Sequence, residues 1–302
     1  MNATGHMVLA QIAWDNMSSQ TRSRVTQLLK DPNNPNAGLP TEANDDDMPD
    51  AADWMDDFKS VARKEHLPDD EGRYHFDDTP VGDSQYFPRD RSADTGVTYF
   101  NQQVGVLQNS SSSQDQCAEA LRDILHLCGD IGAQPLHCVS RFNAEHPSGD
   151  KGGNDFKISW GGTGRYDTDL HALWDEGGAH ASPRDPSKAV GLFPYVKRPM
   201  TDESRQFVEN IASKLEHQYP SQQYTTQQLN DQNPQDWVDT LSQQADQVAY
   251  QGVNEGDQLS PDSPYRATVE KTMGSNVALA GYRLANLLNG MFDGSSAQAA
   301  AR

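Results

Sequence analysis

Residues 126–137 read His-Leu-Cys-Gly-Asp-Ile-Gly-Ala-Gln-Pro-Leu-His, and residues 169–175 echo them with Asp-Leu-His-Ala-Leu-Trp-Asp. Each stretch sets a histidine and an aspartate four positions apart, His126 with Asp130 and His171 with Asp175. On a helix such a pair shares one face, with Cβ atoms about 5–6 Å apart, close enough to grip one ion. A single pair is by default an ordinary surface contact. Two pairs, with His137 just beyond a break at Pro135, point instead to a metal centre. Neutral imidazole and carboxylate are ligands that zinc accepts, and a site needs roughly three or four of them.

The chain has 302 residues, enough to bury a sizeable core in one or two domains. Lys and Arg number 24 against 44 Asp and Glu, a formal charge of −20. Such a surface repels nucleic-acid phosphates and anionic membranes, which excludes broad electrostatic binding of duplex DNA. Phosphate chemistry here needs a local positive source, and bound metal ions are the obvious one. No apolar run approaches the ~20 residues of a membrane-spanning helix. The opening Met-Asn-Ala-Thr-Gly-His lacks the basic and apolar regions of a signal peptide. The expectation is a soluble protein, either cytosolic or a mature form with its leader removed. Cys117 and Cys128 fall on one helical pattern, ~16 Å apart along its axis and too far for a disulfide. A Cys128–Cys138 bridge and three buried free thiols both stay open.

Val8, Leu9, Ile12, Val25, Leu28 and Leu29 recur at helical spacing and predict a helix over 6–30. The acidic run 42–50 reads as solvated loop, 51–63 as a short helix carrying Trp54, Asp56 and Lys59, and 64–92 as loop. Helices follow over 94–109 and 114–131, then a glycine-rich irregular lobe at 141–169, then helices over 201–218, 233–252 and 264–289. The last has a wide apolar face, including Val277, Leu284 and Leu288, with Gly290 as its natural C-cap. No βαβ alternation, hairpin series or repeat is visible. The expected architecture is mainly α, a single catalytic domain over 1–294 with long loops, and a frayed tail at 295–302.

The candidate ligands His6, Asp56, His75, His126, Asp130, His137, His171 and Asp175 together resemble those of the zinc-dependent single-strand nuclease and 3'-nucleotidase family. More distantly, they resemble bacterial zinc phospholipase C. The resemblance runs along nearly the whole chain. Its motifs are Gly5-His6, Trp54-Met55-Asp56 (family Trp-Ala-Asp), Tyr74-His75-Phe76 and His126-x-x-Gly129-Asp130-Ile131. They continue with Gln134-Pro135-Leu136-His137, Gly152-Gly153-Asn154, Leu170-His171-x-x-Trp174-Asp175 and Gly281-Tyr282-Arg283-Leu284-Ala285.

The resemblance implies a helical fold with long loops around a trinuclear zinc cleft, holding three Zn²⁺ per chain. Asp56, His75, His126 and Asp130 would surround one ion. Asp130 would bridge to a second, held by His6 and by the amino group and carbonyl of Met1. His137, His171 and Asp175 would hold the third. The implied reaction is phosphate-ester hydrolysis by a zinc-activated hydroxide, cleaving single-stranded DNA or RNA to 5'-phosphates and removing the 3'-phosphate of nucleotides. Lys59 would neutralise phosphoryl oxygens and Asn154 would neighbour phosphate and metal. Phe76 and Asp78 would receive the base, whose stacking is worth roughly 1–3 kcal/mol and requires an unstacked strand. The family implies a secreted or periplasmic monomer that forms no stable nucleic-acid complex.

Without metals, Lys59 reads as a solvated helix cation, Phe76 as core and Asp78 as a turn residue. Asp53, Asp57 and Asp77 are expected in solvent without a task. Trp54, Trp174 and Trp237 are expected to pack, and His66, His146, His180 and His217 to lie on the surface. Two departures stand out. Met1 replaces the family's Trp, which is tolerable if the amino group is free. Asp130 to His137 spans seven positions against the family's six, and a bulge or tight turn at Gly132 is expected to absorb the extra residue. The alternatives are a zinc-dependent phospholipase C and an inactive metal-binding homologue. A mean hydropathy of −0.81 and the lack of an apolar loop near the ligands weigh against lipid.

Overall fold

Side-chain caps decide where the helices of this chain begin. Asn2 accepts from the Gly5 N–H to open α1 (Ala3–Asn16), and Ser18 accepts from the Thr21 N–H to open α2 (Ser19–Leu29). The single helix expected over 6–30 is therefore two. Met17 is extended, and the Asn16 side chain donates back to the Ile12 carbonyl, so the chain turns where Ser18 offers a cap.

The computed structural model describes residues 1–30, 47–67, 71–160, 168–179 and 191–299. Helices dominate these residues in a single helical domain. Their only sheet is a parallel pair, β1 (Thr79–Gly82) and β2 (Val139–Phe142), with Thr79 opposite Val139. β1 interrupts the stretch expected to be loop over 64–92, as does a short 3₁₀ turn at Gly72–His75.

The acidic segment departs further from expectation. Residues 47–50 are not solvated loop: α3 (Met48–Ala51) buries Asp50 completely. The remainder of that run, 42–46, lies outside the described residues. α4 (Trp54–Glu65) starts at Trp54 instead of 51, with Asp53 at its head.

α5 (Gly96–Gln108) and α6 (Gln114–Ala133) both open on reciprocal capping boxes, Thr95 with Thr98 and Ser113 with Gln116. α6 is the axis of the molecule, and every residue from Ala120 to Ala133 is buried. After it come α7 (Leu170–Asp175), α8 (Asp202–Gln218), α9 (Thr226–Asn230), α10 (Pro234–Gln244) and α11 (Pro264–Ala299). The helix expected over 233–252 ends its regular part at Gln244 and widens into a π turn at Ala245–Ala249.

α11 packs along α1 and α6. A Cβ on Gly281 would meet the Ile12 side chain at 2.7 Å, so its absence lets α1 lie close. Gly290 does not cap α11. Met291 and Phe292 pack against the core beyond it, and the helix runs on to Ala299. Trp54, Trp174 and Trp237 are buried as expected, and Cys117, Cys128 and Cys138 are buried free thiols. Among the described residues no helix is long and apolar enough to cross a membrane.

Candidate metal centre

His126 and Asp130 share one face of α6, with His126 Nε2 3.1 Å from Asp130 Oδ2. The rest of the centre is delivered to that face from six other segments, the turn Pro135–Cys138 with His137 among them. α1 supplies His6, whose Nε2 lies 3.3 Å from Asp130 Oδ1. The chain start adds the Met1 amino group, 2.7 Å from Asp130 Oδ1, 3.1 Å from His137 Nε2 and 3.2 Å from Asp175 Oδ1. The turn Gly72–His75 brings His75 Nδ1 to 2.9 Å from Asp130 Oδ2, and α4 brings Asp56 Oδ1 to 3.8 Å from the same nitrogen. α7 supplies His171 and Asp175, with His171 Nε2 3.1 Å from His137 Nε2.

Local geometry explains how these side chains arrive. A Cβ on Gly129 would meet His6 Nδ1 at 2.4 Å and Met1 Cε at 2.7 Å, so only glycine lets α1 close onto α6 here. The Asn2 N–H donates to the Asp175 carbonyl at 3.1 Å, tying the chain start to α7. Between Asp130 and His137 the helix ends in a widened last turn, where the Gln134 N–H reaches Gly129 O five positions back, which gives room for the extra residue expected there. Gly132 itself stays helical, so the break falls at Gln134. The Gln134 side chain caps the turn Pro135–Cys138 and its amide donates to Asp175 Oδ1 at 2.8 Å. That role was missed from sequence, although Gln134 stands in the recognised motif.

Three imidazoles are locked by backbone carbonyls. His126 Nδ1 lies 2.9 Å from Ala52 O, His137 Nδ1 2.7 Å from His75 O, and His171 Nδ1 2.8 Å from Gly152 O. A carbonyl only accepts, so each Nδ1 carries a proton and each Nε2 faces inward, where it offers a lone pair whenever the ring is neutral. The lone pairs of His137 and His171 then face each other at 3.1 Å, an arrangement that a cation stabilises and two acceptors alone do not. Both ring nitrogens of His6 and Nε2 of His75 are buried without a hydrogen-bond partner, the 3.3 Å approach of His6 to Asp130 lacking hydrogen-bond geometry. Burial pushes His6 down to about 3 and His75 to about 4, so both imidazoles are neutral, the form a metal requires. Burial opposes ionisation of Asp130, but His137, the Met1 amino group and His126 outweigh it and hold the carboxyl well below its usual range.

The donor set therefore fits metal ions. Three groups have ligand atoms within 4.8 Å of one another: His6, His126 and Asp130; Asp56, His75 and His126; and His137, His171 and Asp175. All eight expected side-chain ligands fall into them. Beside them opens a cavity of about 400 Å³ lined by Lys59, Phe76, Asp78 and Asn154 as well as His75 and His171. Lys59 Nζ pairs with Asp56 Oδ1. Phe76 is 41% exposed, so it is not core, and Asp78 is exposed beside it. The Asn154 amide donates to the Lys151 carbonyl at 2.7 Å.

Three acids expected in solvent are buried. Asp77 pairs with Arg91 at 2.5 Å, and Asp53 and Asp57 pair with Arg198. His66 and His217 are exposed, His146 is partly buried against Glu255 at 2.8 Å, and His180 lies outside the described residues.

A helical fold that gathers buried imidazoles and carboxylates into adjoining groups beside an open cleft is suited to holding metal ions. The S1/P1 nuclease family model matches residues 2–293, nearly the whole chain, and the protein belongs to that family. No curated protein matches it in sequence. Membership supports a metal-dependent nuclease-type phosphodiesterase with nucleic acid as substrate.

The closeness of α1 to α6 is testable. Gly129→Ala is expected to preserve helicity, since alanine favours a helix by about 1 kcal/mol, while weakening metal retention at least about 10-fold by displacing His6. Chelator competition measures this, and unchanged retention would show that the close approach is dispensable.

Proposed function

We propose that this protein is a trizinc nuclease and 3'-nucleotidase that cleaves single-stranded DNA and RNA to 5'-phosphates and removes the 3'-phosphate of nucleotides. The observation that carries this reading is a run of three adjoining donor groups, two of which reach one cavity through His75, His137 and His171, with the exposed ring of Phe76 at its rim. Asp56, His75, His126 and Asp130 would hold one ion, Asp130, His6 and the Met1 amino group and carbonyl a second, and His137, His171 and Asp175 a third. Imidazole, carboxylate and amine donors in closed groups suit zinc. When bound, the ions supply Lewis acidity towards phosphate and bring the pKa of a water near neutrality.

The chain's own groups select and place the substrate. The Lys59 ammonium, anchored on Asp56, faces the cavity where it neutralises phosphoryl oxygens. Asn154, on the same wall, orients phosphate by hydrogen bonding. The face of Phe76 stacks on a base, with about 1–3 kcal/mol of stacking, while Asp78 accepts base N–H groups. A base held in a duplex cannot present its face, which selects single strands. A second cavity of about 540 Å³ shares Phe76 and Asp78 and passes Arg73 and Arg91, giving room for a neighbouring nucleotide. The chain works as a secreted or periplasmic monomer that releases its products.

A lipid substrate fits less well. Among the described residues the exposed large hydrophobics are Leu67, Phe76 and Tyr195, and only Phe76 lines the cavity. Parallel assays of zinc-loaded protein on single-stranded DNA, 3'-AMP and phosphatidylcholine decide the matter. Turnover of the first two is expected. Turnover of lipid alone would make it a phospholipase C, and turnover of none would make it an inactive metal-binding homologue. His126→Ala is expected to lose both zinc and activity, and full zinc content in that variant would remove His126 from the ligands.

Burial alone would lower the pKa of the Met1 amino group, but Asp130, Asp175 and Asp56 outweigh it and raise it to about 10. Zinc must therefore displace a proton from this nitrogen, so affinity rises with pH from 7 towards 10. Calorimetry in buffers of different ionisation enthalpy should detect this proton release at pH 8, and it should shrink when the amino group is acetylated. Equal release from both forms would exclude the amine as a ligand.

A further inference from the structure

Asp53 has no part in the reading above, yet its surroundings give it one. Arg198 Nη1 lies 2.5 Å from Asp53 Oδ2, its Nη2 2.5 Å from Asp57 Oδ2 and its Nε 3.2 Å from Asp50 Oδ1. One guanidinium thus serves three carboxylates, and leaving buried charge unmatched costs several kcal/mol per ion. Asp50 gains a further donor, the Met200 N–H at 3.1 Å, and Asp57 keeps some access to solvent. Asp53 is 4% exposed, and with Oδ2 taken by Arg198 its Oδ1 is buried without a hydrogen-bond partner.

Asp53 also belongs to a fourth donor group. Asp53, His6 and Asp56 have ligand atoms within 4.8 Å of one another, and both ring nitrogens of His6 are likewise buried and unpartnered. An unpaired carboxylate oxygen beside an unpaired imidazole and a second carboxylate is costly in a protein interior, and a divalent cation relieves all three at once. His6 and Asp56 belong to different ions of the trizinc reading. Asp53 therefore stands at their junction, as Asp130 does from α6.

We propose that Asp53 is a further carboxylate ligand of the metal centre, turned towards the His6–Asp56 junction by its ion pair with Arg198. The proposal rests on the trizinc reading and is tested apart from it. Zinc content and affinity are measured by chelator competition for the unaltered chain, Asp53→Asn and Asp57→Asn. Asp57→Asn also breaks a contact with Arg198 but removes no group from the donor cluster. Asp53→Asn is expected to weaken the tightest-held or second zinc at least about 10-fold, while Asp57→Asn stays within about 3-fold of the unaltered chain on the same scale. If Asp53→Asn holds zinc as the unaltered chain does, Asp53 is not a ligand and the trizinc reading survives. If the unaltered chain holds no zinc, both fail. Should Asp53→Asn not fold, zinc-loaded crystals of the unaltered chain give the answer. A ligand oxygen lies about 2.0–2.2 Å from the ion, and an Asp53 Oδ1 well outside that distance overturns the assignment.

Discussion

One buried carboxylate, Asp130, organises this molecule. Its two oxygens meet the Met1 amino group, His6, His75, His126 and His137, all within 3.3 Å. These groups come from the chain start, α1, the turn Gly72–His75, α6 and the turn Pro135–Cys138, so the carboxylate ties distant parts of the chain to one point. A charge this deep is stable only when matched, and the helices are arranged to match it. Gly129 leaves the space through which α1 approaches, and Gly281 seats α1 against α11 on its other side.

The centre also reconciles two facts that oppose each other. A chain with a formal charge of −20 repels polyphosphates at long range, yet its family cleaves them. Around the centre Asp56, Asp130, Asp175 and the Arg198-bound acids outnumber the fixed cations Met1, Lys59 and Arg198. Such a pocket is unfavourable for phosphate until divalent cations occupy it and reverse its local sign. Binding would then be confined to the cleft, which Lys59, Lys151 and the exposed ring of Phe76 line, and the rest of the acidic surface would speed release of product.

Much of this was legible because ligand chemistry is local. Histidine and aspartate at helical spacing in 126–130 and 171–175 predicted shared faces, and the structure puts both pairs on helices. The long apolar patterns placed α5, α6 and α8 to within a few residues, and the start of α11 at Pro264. Boundaries set by a single cap were harder, since the apolar period of 6–30 continues across the Ser18 break. The acidic segment around 47–57 was misread for a different reason. Aspartates look solvated unless their partner is known, and Arg198 stands 145 positions beyond Asp53. Gln134 was hidden likewise, because its amide finds Asp175 only after α6 and α7 meet.

Non-denaturing mass spectrometry of the zinc-loaded chain examines the central claim most directly, because it counts ions without presuming which residues hold them. Three zinc ions per chain, removed together with the loss of activity on chelation, are what converging imidazoles and carboxylates around Asp130 require. A chain that folds and carries no specifically bound zinc would contradict the account.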